Sequence, residues 1–350
     1  MLKVTILVPI YNVEQYIERC ARSLFEQTYN DIEYVFVDDC SPDKSIELLQ
    51  GVLKEYPKRE RHVRIIKHEK NRGLAAARNT AVENCETDFM MHVDSDDWIE
   101  QDAVEKLVDC QAKTNADIVT GQAVTHAPKY VSLMERPSFF EKDDFVEDMI
   151  KPTIHHTIWG RLIRASLYKD NSIKAKEGVN IGEDLQVMPL LVYHSKKYAS
   201  IQDIIYHYDK TNENSYMNQH TGFNVKRMIQ DITSMEIVHS FFDDKENKFY
   251  DITEKYLFHY YLKMLDYYCK IGDKGNYNIF RDKFFSLKPY NRVISRIVEF
   301  NIHNYFFYML FQGIISLYKH KTTKIYQERK GFAVLELYKK KRGRKDYTRD

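Results

Sequence analysis

Cysteine is sparse and scattered. Cys20, Cys40, Cys85, Cys110 and Cys269 are odd in number and form no Cys-x-x-Cys pair, which argues against a disulfide framework or structural zinc and suits reduced thiols in a cytosol. Net charge is equally lacking. Lys+Arg number 52 and Asp+Glu 51, leaving +1, so no overall field points to nucleic acid as a partner. The apolar start, Met1 to Asn12, is too short for a secretory core and has no small-residue cleavage site behind it; it reads as a first strand. Neither Gly-x-Gly-x-x-Gly nor Gly-x-x-x-x-Gly-Lys-Ser/Thr follows that strand, which weakens dinucleotide-dehydrogenase and P-loop readings. No internal repeat is present.

What is present is alternation. The chain of 350 residues, 43% hydrophobic, is long enough for a large domain plus a smaller one. Apolar runs at Val4–Pro9, Glu33–Asp38, Val63–Lys67, Asp88–Val93 and Asp117–Thr120 have the texture of strands covered on both sides. Helical patterns lie between them, at about Val13–Gln27, Ser45–Leu53 and Leu74–Asn84. Ser41-Pro42-Asp43 reads as an N-cap with proline at the first helical position, and Asn71-Arg72-Gly73 breaks the chain before the third helix. The expected fold class is α/β: a Rossmann-like, mostly parallel sheet with helices on both faces. A less regular stretch to about residue 220 holds a strand at Ala199–Tyr208, and beyond it long helical patterns dominate. The expected organisation is therefore 1–220 as one domain, divided into halves 1–120 and 121–220, followed by a helical region over 221–350.

Chemistry in such a sheet belongs at the carboxyl ends of its strands. Strand one ends in Pro9-Ile10-Tyr11-Asn12, strand two in Asp38-Asp39, and strand four in Asp94-Ser95-Asp96-Asp97. Three aspartates crowded behind an apolar strand repel one another, and a bound cation relieves that repulsion. Hard divalent ions held by one or two carboxylates commonly complete their shell with phosphate oxygens, so the pattern predicts a diphosphate ligand. Asp38 and Asp39 end a strand where a carboxylate either accepts hydrogen bonds from a nucleoside or caps the next helix.

These motifs, in this order and joined by Asn71-Arg72-Gly73-Leu74 and Ala77-Arg78-Asn79, resemble the family-2 glycosyltransferases of the GT-A fold over roughly the first 210 residues. The resemblance implies that the Pro9–Tyr11 loop and Asp39 line a nucleoside pocket, commonly for uracil, with Arg78 supporting it. Asp94 would approach the ribose or donor sugar and share the metal site with Asp96, which bridges Mn²⁺ or Mg²⁺ to the diphosphate. Asp97 would touch the acceptor sugar or cap the next helix. Gly182-Glu183-Asp184 looks like the family's Glu-Asp motif, making Asp184 the general base of an inverting transfer and Glu183 its neighbour that orients substrate. Trp159 falls where relatives place an acceptor-pocket aromatic; a buried core tryptophan is the competing reading. The arginine that relatives carry after the strand near Ile204–Tyr208 is missing, and Lys210 or His207, aided by Ser215, would replace it.

The implied activity is sugar transfer from a nucleotide sugar, a UDP-sugar above all, to a glycan or lipid-linked acceptor of bacterial surface polysaccharide. A sugar-nucleotide nucleotidyltransferase and a non-catalytic glycan-binding or scaffold protein of the same fold are the rivals. The first normally shows a Gly-rich, Arg-containing loop where this chain has Ile10-Tyr11-Asn12-Val13. Near the end, the aromatic run Phe300–Tyr318 and the basic cluster Lys339–Lys345 suit peripheral contact with an anionic membrane, or a solvated tail. A cytosol-facing enzyme is expected.

Overall fold

A computed structural model describes residues 2–136, 141–151, 156–212, 224–243 and 248–287. The chain separates into two compact units, Met1–Leu257 and Phe258–Asp350. The boundary expected near residue 220 falls at 213–223, outside the described residues, as do the aromatic run and basic cluster near the C-terminus.

The first unit opens with β1 (Val4–Ile10), α1 (Ile17–Phe25), β2 (Ile32–Asp38), α2 (Ser45–Leu53), α3 (Pro57–Glu60), β3 (Val63–Lys67), α4 (Leu74–Glu83) and β4 (Phe89–His92). There follow β5 (Trp98–Ile99), α5 (Ala103–Thr114), β6 (Ile118–Ala127), β7 (Tyr130–Met134), α6 (Lys142–Ile150), β8 (Arg161–Arg164), α7 (Ala165–Asp170), α8 (Glu183–His194), β9 (Tyr198–Asp209) and α9 (Val225–Phe242). One nine-stranded sheet runs in the order β3-β2-β1-β4-β8-β6-β9-β5, with β7 on β6. From β3 to β4 every pairing is parallel, and Val4 lies level with both Ile32 and Phe89. The carboxyl ends of β1, β2 and β4 therefore meet along one edge. Beyond β4 the sheet is mixed, because β8 pairs antiparallel with both β4 and β6.

All seven residues of β1 are buried, as a strand covered on both faces requires. Val4, Ile6, Val8 and Ile10 share one apolar cluster with Ile17, Cys20 and Leu24 of α1; their spacing of two on the strand meets a spacing of three and four on the helix. On the opposite face α4 packs on β1 and β2. It buries Ala75, Ala76, Ala77 and Ala81, small side chains that let it sit close to the sheet. The N-cap expected at Ser41 is displaced: α2 has Lys44 at that position, and Asp43 Oδ1 instead accepts from the Ser45 amide at 3.1 Å.

The second unit's described residues comprise the end of α10 (Lys248–Ile271) and α11 (Lys274–Ser286). They pack through aromatic contacts such as Phe258–Phe284, with centroids 4.8 Å apart, and Tyr268–Phe280 at 5.7 Å. Among the described residues no helix is long and apolar enough to cross a membrane.

Candidate active site

The loops after β1 and β2 are locked to each other. Asn12 and Cys40 both turn through left-handed backbone, with φ of 55° and 58°. The Asn12 amide donates to Ser41 Oγ at 2.8 Å, the Val13 amide to Ser45 Oγ at 3.0 Å, and the Asp39 amide to the Ile10 carbonyl at 3.0 Å. Pro9 is buried within β1, whereas Tyr11 stands 43% exposed at the rim. Asp39 is buried beneath it. Its Oδ1 accepts from His68 Nδ1 at 2.6 Å and the Arg72 amide at 2.8 Å, and its Oδ2 accepts from the Gly73 amide at 2.7 Å. Three of a carboxylate's roughly four acceptor positions are thus filled by the chain itself. Asp39 fixes the Arg72–Gly73 turn, and at most one position is left for a nucleoside.

Arg78 gathers the carboxylates. From the buried face of α4 its Nη2 donates to Asp94 Oδ1 at 2.7 Å, and its Nη1 donates to Glu183 Oε1 at 3.0 Å and to Asp184 Oδ1. Three acids share one guanidinium, so their charges are under-neutralised. Burial, reinforced by Asp184 and opposed by Arg78, pushes Glu183 up to about 8 and raises Asp94. The second oxygen of Asp184, Oδ2, accepts a hydrogen bond from no described residue. The expectation that Arg78 supports a nucleoside pocket therefore needs enlarging: this side chain joins the end of β4 to the start of α8.

Asp96 lies beside this group. Its Oδ2 accepts from Asn212 Nδ2 at 2.8 Å, and burial with the nearby Asp94 charge pushes it up to about 6. Beyond burial, the Asp94 charge raises Asp96, and both charges raise Asp97; such repulsion is the kind a hard cation relieves. Among the described residues no three His, Cys, Asp or Glu side chains are placed to hold a metal by themselves. The residues fit a two-carboxylate site whose remaining ligands come from outside the chain.

The other residues expected at the site are engaged within the fold. Asp97 is fully buried; Tyr206 Oη donates to its Oδ2 at 2.7 Å and the Asp209 amide to its Oδ1 at 2.7 Å. It ties β9 to the rim. Trp159 is 3% exposed, stacked on Tyr206 at 4.3 Å with Arg136 at 4.6 Å over its ring, which makes it a core residue. His207 is stacked on Trp98 at 4.9 Å and bonded to Glu100 and His126. Lys210 follows β9, its Nζ 5.5 Å from the Tyr208 ring centroid, and Ser215 lies outside the described residues.

The residue pattern also did not reveal His68, Asn212 and Tyr206, which hold Asp39, Asp96 and Asp97. Each belongs to a type common in any strand or loop. A signal was nonetheless present for Tyr206, since an apolar strand residue with a hydroxyl needs a buried partner.

Glu183 and Asp184 open α8, where carboxylates complement the helix N-terminus. The preceding segment is docked on α4. Asn79 exchanges two hydrogen bonds with the backbone of Ala175, Asn180 Oδ1 accepts from the Ala75 amide at 3.2 Å, and Arg72 pairs with Glu177 at 2.6 Å. The acids of α8 thereby reach the arginine of α4.

This rim has recognisable counterparts. Residues 5–169 match the family model described as Glycosyl transferase family 2. The chain is 32% identical over 219 residues to Glycosyltransferase GlyA of Streptococcus pneumoniae, covering 59% of this chain and 30% of that protein. It is 30% identical over 223 residues to the poly(ribitol-phosphate) beta-glucosyltransferase of Bacillus spizizenii, covering 62% and 34% respectively. The chain thus spans about a third of the length of these two curated relatives. In fold it is similar to S. aureus TarS 1–349, solved in complex with UDP-GlcNAc, with a TM-score of 0.54 at 18% identity over 81% of this chain and 92% of that one. Residues 5–169, which carry the β1 and β2 rim, Arg78 and the Asp94–Asp97 run, are thus similar to glycosyl transferase family 2.

Proposed function

We propose that this protein is an inverting glycosyltransferase that moves a sugar from a UDP-sugar to a glycan or lipid-linked acceptor in surface-polysaccharide or teichoic-acid synthesis. The observation that carries the reading is the Arg78 hub, which brings a rim carboxylate, Asp94, against the Glu183–Asp184 pair. The relatives named above, one a poly(ribitol-phosphate) beta-glucosyltransferase, and the UDP-GlcNAc bound to TarS support the substrate class.

In this reading the Tyr11 rim and the remaining acceptor position of Asp39 receive the nucleoside. Asp96, with Asp94, holds Mn²⁺ or Mg²⁺, which supplies charge neutralisation for the departing diphosphate. Asp94 also faces the donor sugar, and Lys210 lies near enough in sequence to Asn212 to contribute a cation to the phosphates. The acceptor hydroxyl gives its proton to Asp184 Oδ2 as its oxygen bonds to the anomeric carbon; the bond from that carbon to the diphosphate breaks on the opposite face, and UDP leaves. Arg78 holds Asp184 by Oδ1, keeping the other oxygen turned to the acceptor, and Glu183 orients the bound sugar. No disulfide joins the described cysteines, which suits a cytosolic setting. We assign catalysis to residues 1–220 and a supporting role to the helical region 221–350.

Thermal-shift titration with UDP, UDP-GlcNAc and UDP-glucose, with and without Mn²⁺, tests the donor class. Asp96→Ala is expected to lose the Mn²⁺-dependent shift. Asp184→Asn is expected to keep it while UDP release falls by about 10²-fold or more. Normal UDP release from both variants would refute the assignment.

A further inference from the structure

The turn that launches Glu183 and Asp184 is held from outside the family match. Gly182, at the N-cap of α8, has a φ of +76°, and a Cβ placed there would lie 3.0 Å from Ser234 Oγ. Ser234, fully buried in α9, donates to the Ile181 carbonyl at 3.2 Å and accepts from Gln186 Nε2 at 2.9 Å. One turn earlier on α9, Gln230 Oε1 accepts from the amides of both Asn180 and Ile181, at 2.8 and 3.0 Å. Gln186 closes the loop, since its Oε1 accepts from the Lys176 amide at 2.7 Å. Two α9 side chains four residues apart, hence on one helical face, therefore satisfy the backbone just before the left-handed glycine, and Ser234 also holds the Gln186 side chain beyond it. These amides and this carbonyl precede a helix and have no regular secondary-structure partner, so their bonds to α9 determine where the helix begins.

We infer that Gln230 and Ser234 are positioning residues for sugar transfer: helix α9 fixes the Asn180–Gly182 turn and, through it, the direction from which Glu183 and Asp184 reach Arg78. The inference rests on the reading of Asp184 as the base. It explains why a surface polar residue such as Gln230 points both acceptor sites of its carbonyl inward at backbone. It also assigns part of the transfer apparatus to a helix beyond residue 169, where the family match ends. In this reading donor binding centres on the ends of β1, β2 and β4, whereas the Gln230 and Ser234 bonds go to the turn before α8, so their loss lowers turnover and leaves donor affinity intact.

The test uses the full chain and three variants, Gln230→Ala, Ser234→Ala and Gln230→Glu, the last of which keeps an accepting oxygen. UDP release is measured with whichever of UDP-GlcNAc, UDP-glucose or UDP-galactose the wild type turns over fastest, alongside hydrogen exchange of the 180–186 amides. Both alanine variants are expected to lose about 10- to 100-fold in kcat with the donor KM within about twofold, because small displacements of a reacting group cost rates of this order. Gln230→Ala is also expected to exchange the Asn180 and Ile181 amides at least about tenfold faster. Gln230→Glu is expected to restore kcat to within about threefold. Wild-type turnover with unchanged kcat and exchange in the alanine variants would overturn the inference alone. Absence of UDP release by the wild type from all three sugars would overturn the transferase reading, and this inference with it.

Discussion

A single buried guanidinium faces three carboxylates in this rim, and the imbalance has a consequence that can be measured. Glu183 is held at about 8, well above the ordinary value for a glutamate, chiefly by burial and then by Asp184, against the pull of Arg78. A carboxyl whose folded value is raised stabilises the fold through its protonated form. That contribution is complete below the unfolded value near 4.5 and is lost as pH rises through about 8, with a slope of at most about 1.4 kcal/mol per pH unit. Urea unfolding at successive pH values is expected to show stability declining from pH 5 to 8, and Glu183→Gln is expected to flatten the decline. An identical slope in both proteins would contradict the charge balance described here. At this scale the acids were legible as candidates, because Asp94, Asp96, Glu183 and Asp184 crowd at strand and helix ends. Arg78 as the common partner of Asp94, Glu183 and Asp184 was not, since it meets them across 16, 105 and 106 residues, separations with no periodic signature. The burial of Asp97 and Trp159 was not legible for a related reason: a sequence names a side chain but not the face it turns to.

The elements nearest the amino terminus follow from local pattern. Runs such as Val4–Ile10 are apolar but for Thr5 and the helices between them are periodic, so both covering layers and the parallel order could be expected. The four-residue β8, with arginine at both ends, and the two-residue β5 have no such pattern; pairing with neighbours alone makes them strands. The junction before α4 combines both situations. Gly73 was legible as a breaker, yet the reason only glycine fits is tertiary. Its φ is +90°, a Cβ would lie 2.4 Å from Asn180 Nδ2, and its amide binds Asp39. Gly73→Ala is expected to destabilise the protein by about 1–3 kcal/mol and to weaken UDP binding as the strained turn draws its amide away from Asp39, as calorimetric unfolding and titration with UDP and Mn²⁺ would record. A variant matching the wild type in both would show that the turn tolerates a side chain.

Across the whole molecule, the family match stops at residue 169 while the proposed reacting acids begin at Glu183 and their support extends to Ser234. The proposed donor rim is assembled from strands close in sequence, whereas the proposed base, Asp184, arrives after β8 and α7, at the start of α8. That difference explains why the rim acids stand in consecutive motifs, and why the contacts of α9 could not be read there, its polar residues looking like an ordinary solvated face. The central claim is that Asp94 and Asp96, beside Arg78 and the α8 acids, form the place where a cation meets the diphosphate of a UDP-sugar. Anomalous diffraction from crystals of the full chain soaked in UDP and Mn²⁺ tests it most directly. The account expects an ion at direct coordination distance from Asp96, about 2.1 Å, with the uridine lying between Tyr11 and Asp39; an ion and nucleotide bound away from this edge of the sheet would contradict it.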